Sequence, residues 1–195
     1  MTLYALARYD AGVKTTWSWL GDHLAVDFAN TVFVVDGEVV ELLTDVDALQ
    51  AWRDAEPVEL PEARVDADDL TGLVALRDAA GRLLRAAARA ESLPEPDVRR
   101  INEAVRVGGV TRLLTGDIGA SRLDAGSGVP ALAGVLAAAV VDLLAREDLA
   151  NLAECVAPGC GQLFHRSRPN QRWCSPGCGN RARVDRHRHR RRSTT

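Results

Sequence analysis

Cysteine is absent from the first 154 residues of the chain, so disulfide bonds cannot hold the main part of the fold together. Long apolar runs are absent as well. The most hydrophobic stretch, residues 129–145, contains Asp142 and is too short to cross a bilayer. The first residues lack the basic start and apolar run of a secretory signal. We therefore expect a cytoplasmic protein with reduced thiols and no membrane association.

The sequence also lacks the short motifs that mark common enzymes. It contains no glycine-rich phosphate loop, no nucleophile elbow and no metal-hydrolase signature, so we expect no enzymatic activity. One compact polar set, Asp27, Asn30 and Thr31, interrupts an apolar N-terminal segment. These side chains could line a pocket for a small-molecule effector, or they could satisfy backbone groups at a helix end or turn. The sequence leaves both alternatives open.

Lysine is nearly absent, with Lys14 the single example, and the arginines are unevenly placed. Residues 165–195 hold ten arginines and one acid, a net charge of +9, whereas residues 1–164 hold 14 basic and 26 acidic residues, a net charge of −12. The overall charge of −3 therefore averages two unlike parts. The acidic part would not attract nucleic acid, and the basic end would.

The hydrophobic pattern predicts an α+β fold with a mostly helical body and short β-hairpins. Hairpins are indicated around Asp36-Gly37 and around residues 115–117. Helices are expected from a cap at Thr44 to about residue 54, over 66–91, from Pro94 to about 107, and from 131 to about 150. The last of these is apolar on most faces, so we expect it at the centre of the body. We expect the residues that follow to dock rigidly on its end.

All four cysteines lie near the C-terminus in two pairs, Cys155 with Cys160 and Cys174 with Cys178. Paired cysteines around a short loop are typical of a zinc site, and four thiolates close the tetrahedral shell of a structural Zn²⁺. The Pro158-Gly159 turn would let the first pair face one ion. Ser175 and Pro176 have the pattern of a helix start, which would place Cys178 in a first helical turn. We expect one structural zinc ion per chain.

The segment from Cys174 through Cys178, Gly179, Asn180 and Arg181 resembles the CGNR zinc finger. The segment from Leu24 to Thr31 resembles the signature of the ABATE domain, which usually precedes this finger. The resemblance implies an ABATE-like helical domain over residues 1–150, with a sensing role, and a small four-cysteine finger with a basic helix over 151–195. It also implies a stress-induced transcription regulator whose finger binds DNA.

A helix that starts near Pro176 would carry arginines on most sides and could not belong to a core. Such arginines can reach phosphates and guanine edges in a groove, while Asp185 interrupts the basic helix. Regulators that read duplex DNA are often twofold-symmetric, so a homodimer is compatible with this reading. The alternative function is a zinc-structured protein-interaction module. The predicted nucleic-acid contacts are Arg166, Arg168, Arg172, Arg181, Arg183, Arg186 and Arg190.

Overall fold

The computed structural model describes residues 21–35, 38–114, 116, 121–146 and 149–192. Within these ranges the chain forms six α-helices and three separate two-stranded antiparallel sheets. The α+β fold class expected from the sequence is confirmed. No helix in the described ranges is long and apolar enough to span a lipid bilayer.

The helices and strands follow the chain in a simple order. The helices are α1 (Leu24–Ala29), α2 (Val46–Ala55), α3 (Ala67–Ala88), α4 (Glu95–Gly108), α5 (Val129–Leu144) and α6 (Pro176–Arg192). The strands are β1 (Val32–Val35), β2 (Glu38–Glu41), β3 (Thr111–Leu114), β4 (Ser121–Asp124), β5 (Leu152–Glu154) and β6 (Leu163–His165). A short 3-10 helix, Leu149–Asn151, precedes β5.

The two hairpins predicted in the body are confirmed by their strand pairs. Val32 lies opposite Glu41 in the first, and Thr111 lies opposite Asp124 in the second. The predicted turn residues Asp36, Gly37 and Asp117 lie outside the described residues. In the first hairpin both strands carry β-branched residues, which favour extended structure.

Two predicted helix ends were wrong. The cap of α2 is Asp45 and not Thr44, because the Asp45 carboxylate accepts a hydrogen bond of 2.8 Å from the Ala48 N–H. Asp is at least as good an N-cap as Thr, since its charged oxygen also suits the positive end of the helix dipole. The other error is the end of α5, which stops at Leu144 rather than near residue 150.

Helix α5 lies at the centre of the body, as its apolar sequence predicts. It contacts α1, α3 and α4, and its side chains at Leu132, Leu136, Val140 and Leu143 are fully buried. These four positions follow the three-to-four residue spacing of one helix face. Leucines of α3 and the α1 segment around Phe28 complete the same core.

Helices α4 and α5 approach each other through two glycines. A Cβ atom built on Gly134 would lie 2.8 Å from the Cα of Gly108, and one built on Gly108 would lie 2.6 Å from the Cα of Gly134. Real side chains do not come that close to backbone, so any larger residue would force the helices apart. The pair fixes how closely α4 can pack on the central helix.

Two arginines of α3 and its C-cap residue, Arg89, tie this helix to three other elements. Buried Arg77 makes two hydrogen bonds to the Glu41 carboxylate of β2, at 2.6 and 2.7 Å. Arg82 makes a second paired contact with Asp97 of α4, at 2.8 and 2.6 Å. Arg89 reaches Glu154 of β5 at 2.6 Å. Two-point contacts of this kind fix orientation as well as proximity, so α3 sets the positions of its neighbours.

The hairpin of β5 and β6 belongs to two cores at once. Leu152 and Leu163 are buried in the core of the body, whereas Ala153 and Phe164 are buried with the cysteines. Alternate residues of a strand point to opposite faces, so the two-residue period places one face against each core. The hairpin contacts α3 through β5 and α1 through β6. The cysteine module therefore docks mainly on α1 and α3.

Candidate zinc centre and basic helix

The first pair of sulfurs is brought together by a tight turn. Gly159 adopts a φ of +66°, a left-handed conformation that suits glycine. The Cys160 N–H donates to the Ala157 carbonyl at 3.1 Å, which closes the turn. The Cys155 N–H in turn donates to the Gln162 carbonyl at 2.8 Å. Both sulfurs are thereby held on one side of the loop.

The second pair spans the start of α6, as the sequence predicts. The helix begins at Pro176, and the Ser175 hydroxyl accepts a hydrogen bond of 3.2 Å from the Cys178 N–H. This places Cys178 in the first turn, where the positive end of the helix dipole favours a thiolate. Proline is well suited to the first helical position because it has no N–H that would need a partner.

All four sulfurs converge on one point. Each Sγ lies within 4.8 Å of the other three, and none of the four cysteines is in a disulfide. The Sγ atoms of Cys160, Cys174 and Cys178 are separated by 3.6 to 3.8 Å. Tetrahedral zinc with a Zn–S length of about 2.3 Å places its sulfurs about 3.8 Å apart. The four side chains therefore fit one structural Zn²⁺, with no position left open for substrate.

The ionisation of the thiols also calls for a cation. Hydrogen bonds from Cys160 and Cys174 lower the pKa of Cys155. The reciprocal hydrogen bonds to Cys155 raise the pKa of Cys160 and the pKa of Cys174. Cys155, Cys160 and Cys174 therefore cannot all ionise in the absence of a cation. A divalent cation among them favours the thiolate form of each, so binding releases protons.

Groups around the sulfurs complete the centre. An Arg181 Nη2 donates to the Cys178 Sγ at 3.1 Å, and the Cys174 thiol lies 3.5 Å from the Gln162 Oε1. Trp173 packs against the same cluster, and a Cβ atom on Gly179 would lie 3.2 Å from its indole ring. The absence of a side chain at Gly179 thus lets the tryptophan ring approach α6 closely. Trp173 therefore packs beside the metal site.

Two polar side chains near α1 hold the outer edge of β6. The Asn30 Nδ2 donates to the Leu163 carbonyl at 2.8 Å, and the Leu163 N–H donates to the Asn30 Oδ1 at 3.0 Å. The Asp22 carboxylate accepts a further bond of 2.6 Å from the His165 N–H. Asn30 and Asp22 thus satisfy backbone groups that a third strand would otherwise pair. The cysteine module is bound to the body through these contacts.

The exposed part of α6 carries a continuous positive surface. Arg183, Arg186, His187 and Arg190 line one shallow groove. Their spacing of three, four and seven residues places them on a single helix face, which we call the basic face. Three of these residues were predicted from the sequence. His187 was not, although its position four residues after Arg183 is the signal that could have placed it there.

The other predicted nucleic-acid residues occupy different surroundings. Arg168 and Arg172 are exposed on the loop before α6. Arg166 is half-buried, and its backbone N–H donates to the Asn151 carbonyl at 2.8 Å. Arg181 lies beside the Cys178 sulfur. Its guanidinium therefore balances thiolate charge, a role that the sequence did not suggest.

Asp27, Asn30 and Thr31, the polar residues in and after α1, differ in their hydrogen-bond partners. Asn30 is bonded to Leu163, and the Thr31 hydroxyl donates to the Phe28 carbonyl at 2.8 Å. Asp27 is different. One of its oxygens accepts from the Gly21 N–H at 2.8 Å, and the other is buried without a hydrogen-bond partner in the described part of the chain. Burial raises the pKa of Asp27 to about 6.

Fold and site together define a mostly helical α+β protein with a C-terminal four-cysteine zinc finger. The chain belongs to the ABATE family, whose model matches residues 22–147 and is described as "Putative stress-induced transcription regulator". The model of the CGNR zinc finger matches residues 151–191. No curated protein is significantly similar to the chain. The predicted division after residue 150 lies between the two matched ranges and stays a prediction.

Proposed function

We propose that this protein is a non-enzymatic transcription regulator that binds duplex DNA through the basic face of α6. The observation that carries the proposal is the placement of Arg183, Arg186 and Arg190 on one exposed helix face next to a zinc-fixed helix start. The family descriptions support regulation as a role. The choice of contact residues is based on their position on the helix and on their charge.

The zinc centre gives the basic face a fixed direction. Cys178, Gly179 and Ala182 are buried in the finger, and the described side chains beyond Ala182 are half-buried or exposed. The helix therefore projects about 15 Å past its anchor, at about 1.5 Å per residue. An α-helix of this length fits the major groove of B-DNA, where arginines can contact phosphates and guanine edges.

Asp185 does not interrupt the basic face. It lies two residues after Arg183, which turns it by about 200° around the helix axis. It is half-buried and lies within 3.5 Å of His189, its neighbour one turn later. The single acid of α6 therefore faces away from the proposed DNA surface. This arrangement supports an uninterrupted positive contact.

A second function, docking of a protein partner, is favoured by two apolar side chains on the same module. Val156 is 57% exposed and Val184 is 46% exposed. Exposed valines contribute nothing to phosphate binding and are more typical of a protein contact. A regulator could use both surfaces, but a pure interaction module would not need the arginines of the basic face.

The test is a salt titration of duplex binding with a charge-matched control. The variant Arg183→Ala/Arg186→Ala/Arg190→Ala removes the basic face, and Arg99→Ala/Arg100→Ala/Arg106→Ala removes the same charge from α4. We expect the first variant to weaken binding strongly and to reduce the slope of log K against log salt by about 3. The α4 variant should bind nearly as the native protein does. Equal binding by both variants, or no binding of the native protein to any duplex at low salt, would refute DNA binding through α6.

A further inference from the structure

Two buried carboxyl groups in the body have no cationic side chain paired with them among the described residues. Asp27 of α1 is 1% exposed and Glu56, the residue that ends α2, is 8% exposed. Three of their oxygens lack a hydrogen bond in the described part of the chain: Asp27 Oδ1, Glu56 Oε1 and Glu56 Oε2. Buried polar groups are nearly always satisfied in native proteins, so three unpaired oxygens in one place require an explanation.

The two carboxyl groups belong to one site. Phe28, next to Asp27, packs on Trp52, one turn before Glu56, so both carboxyl groups lie at the contact between α1 and the end of α2. Burial raises the pKa of Glu56 to about 8, and the charge of Asp27 adds to this effect. The neighbouring Arg53 does not neutralise them. Its two Nη groups donate instead to the carbonyls of Pro61 and Ala63, at 2.7 and 3.1 Å. Once ionised, a buried acid pair that has no cation beside it in the described part of the chain favours a positively charged occupant.

A third group independently indicates a ligand. The indole N–H of Trp52 is fully buried and has no acceptor among the described residues. Trp52 lies one turn before Glu56 on the same face of α2, and its ring packs on Phe28, the neighbour of Asp27, with the ring centroids 5.5 Å apart. The site thus joins three acceptor oxygens, one N–H donor and two aromatic rings.

We propose that Asp27, Glu56 and Trp52 form a binding site for a small primary ammonium compound that carries a neighbouring hydrogen-bond acceptor. An ammonium group offers three N–H donors, which match the three unpaired carboxylate oxygens. The acceptor on the ligand satisfies the Trp52 N–H, and the aromatic rings favour a cation further. A metal ion fits less well, because the described residues place three or more metal-binding side chains together at the cysteine cluster alone.

Such a compound would be the effector of the regulator proposed above. Only this regulatory meaning rests on the proposed function. The ligand site itself is argued from residues of the body, and its test contains no DNA. Failure of the binding experiment would therefore leave DNA binding by α6 untouched, and failure of DNA binding would leave the ligand site untouched.

The experiment uses the full, zinc-loaded chain and ethanolamine as the probe, at a mildly alkaline pH where the carboxyl groups ionise. Isothermal titration and thermal melting should show saturable binding. Propylamine, which lacks the acceptor, should bind about fivefold more weakly, the equivalent of one hydrogen bond. Ethylene glycol, which lacks the charge, should not bind. Sodium chloride at the same concentration serves as the ionic control.

Three variants of equal charge change locate the site. Glu56→Gln and Asp27→Asn should each weaken ethanolamine binding at least about tenfold, because each removes an ionic partner of the ammonium. Glu59→Gln, which changes an exposed acid of the same connection, should bind as the native chain does. The melting curve and zinc content of each variant report whether it has folded. Absence of saturable binding to the native chain, or unchanged binding by Glu56→Gln, would show that these groups hold water only and overturn the proposal.

Discussion

The carboxamide of Asn30 forms two buried hydrogen bonds with the backbone of Leu163, a residue 133 positions later in the chain. The Asn30 side chain, at the end of α1, thereby makes the hydrogen bonds to β6 that a neighbouring strand would otherwise make. Because Leu163 alternates with Phe164 of the cysteine cluster, this contact joins α1 directly to the wall of the zinc finger.

Asn30→Ala should destabilise the protein strongly. The change leaves the Leu163 N–H and C=O buried and unpaired, at a cost of about 3 kcal/mol for the two groups. Urea unfolding of the zinc-loaded protein measures the effect. Asn102→Ala, the same change at an exposed position of α4, should alter stability by less than about 0.5 kcal/mol. Similar values for the two variants would show that the Asn30 contact contributes nothing.

Arg181→Ala should weaken zinc binding about tenfold or more, because the guanidinium donates to the Cys178 sulfur and balances part of the thiolate charge. Competition with a chelating dye gives the affinity, and metal analysis should find one zinc ion per native chain. Arg183→Ala removes the same charge two residues later, away from the sulfurs. Its zinc affinity should equal that of the native protein. A loss shared by both variants would point to net charge and not to the hydrogen bond.

Gly134→Ala should lower stability by about 1 to 3 kcal/mol, since the new methyl group would collide with the backbone of Gly108. Gly72→Ala is the matched change on α3, where a Cβ atom would meet nothing within 4 Å. That variant should gain about 0.5 to 1 kcal/mol from better helix propensity. Thermal melting should therefore shift in opposite directions. Two shifts of the same sign would contradict the close approach of α4 and α5.

Glu56→Gln should make stability less sensitive to pH. The pKa values of Asp27 and Glu56 are raised from 3.8 to about 6 and from 4.5 to about 8, mainly by burial. The native state therefore keeps protons that the unfolded chain has already released. The stability that this contributes is complete below pH 4 and is lost as the pH rises through about 6 and then about 8.

Glutamine carries no charge at any pH, so the Glu56→Gln variant does not lose stability through ionisation at position 56 as the pH rises. We expect Glu56→Gln to exceed the native protein in free energy of unfolding by on the order of 5 kcal/mol above pH 8. Below pH 4 the two should be nearly equal. Urea unfolding across this range, with zinc in excess, measures the difference, and Glu59→Gln provides the control. Parallel stability curves for Glu56→Gln and the native protein would rule out a raised pKa for Glu56.

The local features of the fold could be predicted because they depend on short-range patterns. The spacing of Cys174 and Cys178, with a proline between them, fixes a helix start without knowledge of the rest of the chain. The apolar sequence of α5 likewise fixes its central position, since no exposed surface could tolerate it. The first hairpin follows from β-branched runs on both sides of its turn residues, although the turn itself lies outside the described residues.

The long-range polar contacts could not be predicted. Nothing near Asn30 indicates that its partner is a backbone 133 residues away. Glu56 precedes a proline-containing connection and has the sequence context of a solvated acid, yet the packing of Trp52 on Phe28 carries it into the interior. Arg181 belongs by sequence to a basic run, and only the fold brings it to a sulfur. Each of these depends on which surfaces meet, and that is a property of the whole chain.

The hairpin of β5 and β6 has a practical consequence for anyone who wishes to graft this finger onto another protein. One side of the hairpin is lined by Leu152 and Leu163, which would be left in contact with water if the C-terminal part were expressed alone. A chimera should therefore exchange α1 and α3 together with the finger, or replace both leucines by polar residues. The boundary of a transferred segment should therefore lie outside the β5–β6 hairpin, because this hairpin contributes to the core of the body and to the cysteine cluster.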